Sequence, residues 1–123
     1  MKDKIKVQVI GATGYGGIGI IDLLSSHPNF QIISLLAKDK FGKTINNFYP
    51  HLNNISELMV EEVTQNAIGK DANVIIFTTP DTVAMQMIEP IYERLMKNNI
   101  KIIDFSGDFR FKNINDYEEY AQK

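Results

Sequence analysis

Three glycines near the start of the chain, Gly11, Gly14 and Gly17, are spaced as G-x-x-G-x-x-G. An apolar run precedes them, and apolar residues at helical spacing follow. A turn of this kind directs backbone amides into one small space, and the N-terminus of the next helix adds partial positive charge. Gly11 would permit the tight turn, Gly14 a close approach to phosphate and Gly17 close helix packing. The stretch therefore predicts a pyrophosphate site.

The glycine spacing is a variant of the usual dinucleotide motif, G-x-G-x-x-G. It is not a P-loop, because no Gly-Lys-Ser/Thr follows. The alternative is a glycine-rich turn that binds nothing. The glycine stretch lies between a predicted buried strand and a predicted amphipathic helix, and this position favours a bound ligand over that alternative.

Charged residues follow the second apolar run, which covers residues 30–37. An acidic residue here would accept from a ribose 2′-hydroxyl, and a basic one would pair with a 2′-phosphate. The loop carries Lys38, Asp39, Lys40 and Lys43. Three cations against one anion favour NADP, with NAD left open. The alternative is a solvated charged loop.

Two later loops also carry polar groups. Thr78, Thr79 and Pro80 close the third apolar run, and their polar groups offer contacts to the cofactor. For Asp81 and Thr82, capping of the next helix is the favoured interpretation.

The last loop combines two carboxylates, a hydroxyl and an arginine between residues 104 and 110. Ser106 is a candidate cofactor contact. Arg110 could meet an anionic substrate, although an ion pair with Asp104 or Asp108 that pins the loop is the favoured interpretation.

The elements that position these loops read as strands alternating with helices. Strands are predicted at residues 5–10, 30–37, 72–79 and 100–105, with a more exposed one at 57–63. Helices are predicted at 16–26 and 82–98, and Pro90 should either kink the second helical region or mark a helix start within it. This alternation predicts an α/β fold: a Rossmann-like, doubly wound, mostly parallel sheet with helices on both faces. The strand-end loops then meet at one edge of the sheet.

Composition limits the function classes. The 123 residues fit a single domain. The glycine turn and the strand-end loops identify it as a nicotinamide-dinucleotide-binding domain over residues 1–123. A net charge of −2 gives no reason to expect nucleic acid or a membrane as partner. The chain has no cysteine, and His27 and His51 lack partners at ligand spacing, so no metal site is expected. The short first apolar run is no signal peptide, and a cytoplasmic location is the default.

Five segments resemble the N-acetyl-gamma-glutamyl-phosphate reductase family, which belongs with the aspartate-semialdehyde dehydrogenases. They are residues 10–17, 26–28, 42–43, 50–52 and 103–110. The last, which contains Asp104-Phe105-Ser106-Gly107-Asp108-Phe109-Arg110, is the most specific to the reductase. The chain departs from the family with Ala37-Lys38 for Ser-Arg and Pro80-Asp81 for Pro-His. The lysine keeps the charge but lacks the bidentate fork.

The resemblance implies an NADPH-dependent reduction of N-acetylglutamyl 5-phosphate to the semialdehyde, in arginine biosynthesis. It implies a cysteine nucleophile and a histidine acid/base, both beyond the point that corresponds to Lys123. The chain then resembles the N-terminal part of a homo-oligomeric enzyme, lacks the catalytic domain and is inactive alone. The alternatives are a non-catalytic dinucleotide-sensing or interaction module, and the N-terminal domain of an aspartate-semialdehyde dehydrogenase.

No catalytic residue is expected in this chain. The expected cofactor-binding residues are Gly11, Ala12, Thr13, Gly14, Tyr15, Gly16, Gly17, Lys38, Thr79, Pro80 and Ser106, with Arg110 as a substrate contact.

Overall fold

A computed structural model of the chain describes residues 4–50, 58–79 and 83–105. The strands are β1 (Ile5–Ile10), β2 (Phe30–Ala37), β3 (Val60–Glu62), β4 (Val74–Phe77) and β5 (Lys101–Asp104). The helices are α1 (Tyr15–Ser25), α2 (Ile45–Phe48), α3 (Val83–Ile88) and α4 (Tyr92–Lys97). The strands form one sheet in the order β3-β2-β1-β4-β5, and all neighbours are parallel. The predicted Rossmann-like fold class is confirmed.

Strand β1 lies at the centre of the sheet, between β2 and β4. The chain moves from β1 to β2 on one side and later crosses to β4 on the other. The end of β1 is therefore the point where the strand order reverses, which is where open α/β sheets bind ligands. The glycine turn begins at this point, directly after Ile10.

Helices cover both faces of the sheet because side chains of each strand alternate between them. Val7 and Val9 of β1 belong to a core cluster that includes Ile21 and Leu24 of α1. Ile10 belongs to the second cluster. That cluster also contains residues of α3 and α4, and of the strands beside them: Ile75, Phe77, Ala84, Ile88 and Leu95. Both layers of the predicted architecture are thus present.

The last helical region is interrupted at Pro90, as the sequence predicts. Helix α3 ends at Ile88, a short 3-10 segment spans Glu89–Ile91, and α4 begins at Tyr92. Proline has no amide hydrogen to donate and crowds the preceding turn, so a regular helix cannot pass through it. In the part of the chain that the structure describes, no helix is long and apolar enough to cross a membrane.

Gln8 of β1 is fully buried, yet its side-chain amide is well bonded. Its Nε2 donates to Ser34 Oγ (3.0 Å) and to the carbonyl of Ala67 (2.8 Å). Its Oε1 accepts from the amide of Gly69 (2.8 Å). Gln8 thereby ties the turn at residues 65–71 to the sheet.

A bulge in β2 places Ser34 opposite Gln8. Val7 pairs with Ile32 and Gln8 with Ser34, so Ile33 is an extra residue in β2. Without the extra residue, the serine would not lie beside the glutamine.

We expect Gln8→Leu to lower the free energy of unfolding by about 2–3 kcal/mol, because it removes the side-chain hydrogen bonds to the Gly69 amide and the Ala67 carbonyl. Denaturant titration followed by circular dichroism measures this change. The control is Gln31→Leu, the same substitution at an exposed position of β2, expected within about 0.5 kcal/mol of wild type. Equal effects of the two variants would contradict the role given to Gln8.

Candidate cofactor-binding site

The glycine turn is held by backbone hydrogen bonds at its base. The amides of Gly11 and Ala12 both donate to the carbonyl of Leu36 in β2, at 2.9 and 3.1 Å. The amide of Gly14 donates to the carbonyl of Gly11 (3.1 Å). Gly11 has a φ of 91°, a left-handed conformation that favours glycine. These three amides are therefore used inside the fold.

The amides at the start of α1 are differently placed. The first intrahelical bond runs from the Ile18 amide to the Gly14 carbonyl (3.0 Å). The preceding amides, of Tyr15, Gly16 and Gly17, have no acceptor within the helix. Gly14 occupies the N-cap position and contributes no side-chain bond. The partial positive charge of the helix N-terminus is consequently not met by a capping side chain.

Two of the glycines have no space for a side chain. A Cβ on Gly17 would lie 2.2 Å from the carbonyl oxygen of Gly11 and 3.0 Å from Cα of Ala12. A Cβ on Gly11 would lie 2.7 Å from Oγ1 of Thr78. The close packing of α1 on the turn after β1 therefore requires glycine at position 17.

Thr78, directly after β4, holds the turn from the other side. Its hydroxyl Oγ1 donates towards the carbonyls of Ile10 (3.0 Å) and Gly11 (3.1 Å), and its amide donates to Ile10 (2.9 Å). From the sequence, Thr78 was expected only to contact a ligand. No local pattern indicates its bonds to the turn, which join residues 67 and 68 positions apart.

Thr79 presents an unsatisfied polar atom. Its Oγ1 is buried and has no hydrogen-bond partner in the described structure. Buried hydroxyls normally form a hydrogen bond, so the Thr79 hydroxyl is available to bond to a ligand.

Two cavities meet at Thr78 and Thr79. One, of about 360 Å³, extends from the glycine turn to the loop after β2. Its lining includes Gly11, Thr13, Gly14, Lys38, Asp39, Lys40, Thr78, Thr79, Val83 and Met87. The other, of about 420 Å³, is lined by Gly16, Gly19, Ile20, Thr78, Thr79 and Phe105. The two residues that follow β4 therefore border both cavities.

The sequence-predicted residues sort into three groups. Those lining the cavities are Gly11, Thr13, Gly14, Gly16, Lys38 and Thr79. Ala12 and Gly17 are buried beneath the turn. Pro80, Ser106 and Arg110 lie outside the described residues, as does the side chain of Tyr15. No cluster of potential metal ligands occurs among residues 4–50, 58–79 and 83–105.

Two further contacts of the turn are not indicated by the sequence. The hydroxyl of Tyr49 donates to the carbonyl of Thr13, and the Thr13 hydroxyl donates to the carbonyl of Asp39 (3.2 Å). Tyr49 follows α2, outside the strands and helices that the sequence predicts.

We expect Gly17→Ala to lower the free energy of unfolding by about 2 kcal/mol, because the new Cβ must displace backbone. Gly19→Ala is the matched control in the same helix, where a Cβ would meet nothing within 4 Å. It should raise stability by about 0.5–1 kcal/mol through helix propensity. Urea unfolding measures both, and a gain in stability for Gly17→Ala would refute the packing constraint.

The chain is similar to reductases and dehydrogenases of known families. The family model of the semialdehyde dehydrogenase, NAD binding domain, matches residues 6–119. Over 119 residues the chain is 41% identical to N-acetyl-gamma-glutamyl-phosphate reductase of Bacillus cereus (strain B4264), covering 97% of this chain and 33% of that protein. The chain thus spans about a third of the length of the curated relatives it matches.

Solved structures give the same fold. Aspartate semialdehyde dehydrogenase of Candida albicans, solved with NADP, superposes with a TM-score of 0.70 at 21% identity, over 89% of this chain and 32% of that chain. A probable aspartate-semialdehyde dehydrogenase from Pseudomonas aeruginosa gives a TM-score of 0.65 at 20% identity, over 98% and 35% of the two chains. Because the family model matches residues 6–119 of the 123 in this chain, the chain belongs to the semialdehyde dehydrogenase NAD-binding domain family.

Proposed function

We propose that this chain is the NADP-binding domain, over residues 1–123, of an N-acetyl-gamma-glutamyl-phosphate reductase. The observation that carries the proposal is the N-terminus of α1, which no side chain caps and which lies beside a cavity lined by Lys38 and Lys40. An anion at the helix start and a second anion at the lysines match the two phosphate sites of NADP.

The residues present fit the pyrophosphate. The amides of Thr13, Gly16 and Gly17 would donate to its oxygens, since none of them is used by the helix or the base of the turn. Gly11 and Gly17 keep side chains out of the turn, so that backbone and phosphate can approach closely. The unpartnered Thr79 hydroxyl would gain a partner from the ribose or the diphosphate. Ala12 and Gly14 shape this turn.

Lys38 and Lys40 would select the phosphorylated ribose. Both side chains are exposed at the end of β2 and line the same cavity. Asp39, between them, would accept from the ribose hydroxyls of NAD, so NAD remains a weaker ligand in this proposal. An ammonium group lacks the bidentate fork of a guanidinium, and the discrimination should accordingly be moderate.

The two cavities would divide the cofactor between them. The adenosine half would lie in the 360 Å³ cavity, against Val83 and Met87. The nicotinamide half would extend into the 420 Å³ cavity, towards Gly16 and Phe105. Pro80, Ser106 and Tyr15 would complete the site, and Arg110 would meet the anionic substrate.

The reaction requires more than this chain. When bound, NADPH supplies the hydride that reduces an acyl phosphate to an aldehyde. The chain has no cysteine, so the nucleophile that the family resemblance implies would come from the part of the relatives that this chain does not span. We therefore propose that the chain alone binds cofactor without turnover. A homo-oligomeric full-length enzyme and a cytoplasmic location stay predictions.

Isothermal titration calorimetry of the chain with NADPH and NADH tests the proposal. Binding of NADPH at micromolar to submillimolar Kd, with weaker binding of NADH, is expected. The absence of heat with either ligand at millimolar concentration would overturn the proposal. Reduction of N-acetylglutamyl phosphate by the purified chain would contradict the assignment of the nucleophile to the missing part.

We expect Lys38→Gln to raise the Kd for NADPH about five- to tenfold, the effect of one exposed charge-assisted contact. The Kd for NADH should stay within about twofold, because NADH lacks the 2′-phosphate. Lys43→Gln is the matched control, since Lys43 carries the same charge in the same loop but lies outside the cavity lining. An equal loss for both cofactors would contradict recognition of the 2′-phosphate by Lys38.

A further inference from the structure

Tyr49 lies outside every segment that the sequence assigned to the cofactor, yet it contacts the glycine turn directly. We infer that Tyr49 is a positioning residue, whose hydroxyl orients the turn for pyrophosphate binding. The inference rests on the proposed function, and it adds a residue that acts through the turn without touching the cofactor.

The hydroxyl of Tyr49 fixes one particular peptide group. It donates to the carbonyl of Thr13, and the amide on the other side of the same peptide bond, that of Gly14, donates to the carbonyl of Gly11 (3.1 Å). Because a peptide group is planar, the two bonds together set the orientation of the whole unit. The next amides along the chain are those at the open N-terminus of α1, so their direction depends on this plane.

Tyr49 is itself held by a segment anchored independently of the turn. Ile45 of α2 is fully buried, and its amide donates to the carbonyl of Leu58 (2.7 Å). The amide of Tyr49 donates back to the carbonyl of Ile45 (3.0 Å). The tyrosine ring packs, half-buried, against the core cluster beneath α1. The hydroxyl is therefore presented to the turn from a fixed base.

Thr13 connects the same peptide to the loop that carries Lys38. Its hydroxyl donates to the carbonyl of Asp39 at 3.2 Å. The Tyr49 contact thus acts on the carbonyl of Thr13, and the Asp39 contact acts on its side chain. The two contacts are separate, so loss of the tyrosine hydroxyl leaves the lysine loop attached to Thr13.

This separation gives a selective consequence. Without the hydroxyl, the Thr13–Gly14 peptide is held at one end only, and the turn would spend part of its time in orientations that do not bind pyrophosphate. The apparent affinity falls in proportion to the fraction of the competent orientation. Loss of one neutral hydrogen bond would reduce that fraction about fivefold. Ligands without a pyrophosphate should be unaffected.

The experiment compares Tyr49→Phe with wild type, using three ligands: NADPH, ADP-ribose and adenosine 2′-monophosphate. NADPH and ADP-ribose contain the pyrophosphate, whereas adenosine 2′-monophosphate has neither it nor a 5′-phosphate. In Tyr49→Phe, we expect the Kd for the first two to rise about fivefold and the Kd for the third to stay within about twofold. Titrations followed by amide chemical shifts measure the Kd of the ligands that bind weakly.

Tyr92→Phe is the matched control, because it removes a phenol hydroxyl from an exposed position on α4 and should change none of the three affinities. An unchanged Kd for NADPH in Tyr49→Phe would overturn the inference. An equal loss for adenosine 2′-monophosphate would also overturn it, since Tyr49 would then act through general stability. If the wild type binds neither NADPH nor ADP-ribose, the proposed function itself fails, which is a distinct result.

Discussion

The first turn of α1 packs so closely on the glycine turn after β1 that residue 17 cannot carry a side chain. A Cβ at this position would lie 2.2 Å from the carbonyl oxygen of Gly11, so the start of the helix and the turn are in close contact there. The 360 Å³ cavity is lined by Gly11 and Gly14 of the same turn and by the loop after β2. A residue with a Cβ at this position would force the helix away from the sheet and separate the two phosphate-binding regions that the proposed function requires.

The turn is held in place by contacts from three neighbouring parts of the chain. The carbonyl of Leu36 in β2 accepts hydrogen bonds from two amides of the turn. The hydroxyl of Thr78, after β4, donates to carbonyls at the start of the turn. The hydroxyl of Tyr49, after α2, fixes the Thr13–Gly14 peptide. None of these contacts needs a ligand. The turn is therefore organised before a cofactor arrives, which lowers the ordering cost of binding. In the described structure, Thr79 Oγ1 lacks a partner, and a bound dinucleotide would supply one.

Much of the fold follows from local sequence patterns. The run Phe30–Ala37 forms β2 with the predicted bounds, and Pro90 interrupts the last helical region as expected from its missing amide hydrogen. The contacts that hold the site were not predictable in the same way. Tyr49 reads as an ordinary aromatic residue in an irregular segment, and Gln8 reads as a polar residue within a buried strand. Tyr49 bonds to Thr13, 36 positions away, and Gln8 bonds to Gly69, 61 positions away. Which residue a side chain bonds to over such sequence distances depends on the packed fold. Periodicity and residue type do not predict it.

In the proposed function, the open N-terminus of α1 binds the pyrophosphate of a nicotinamide dinucleotide. A titration of the ¹⁵N-labelled chain with NADPH, followed by amide chemical shifts, tests it most directly, because each free amide reports separately. The largest saturable shifts are expected at Thr13, Gly16 and Gly17, with smaller ones at Lys38 and Thr79. The buried cluster around Gln8 should not respond. Saturable shifts confined to residues away from the turn, or no shifts at millimolar NADPH, would contradict it.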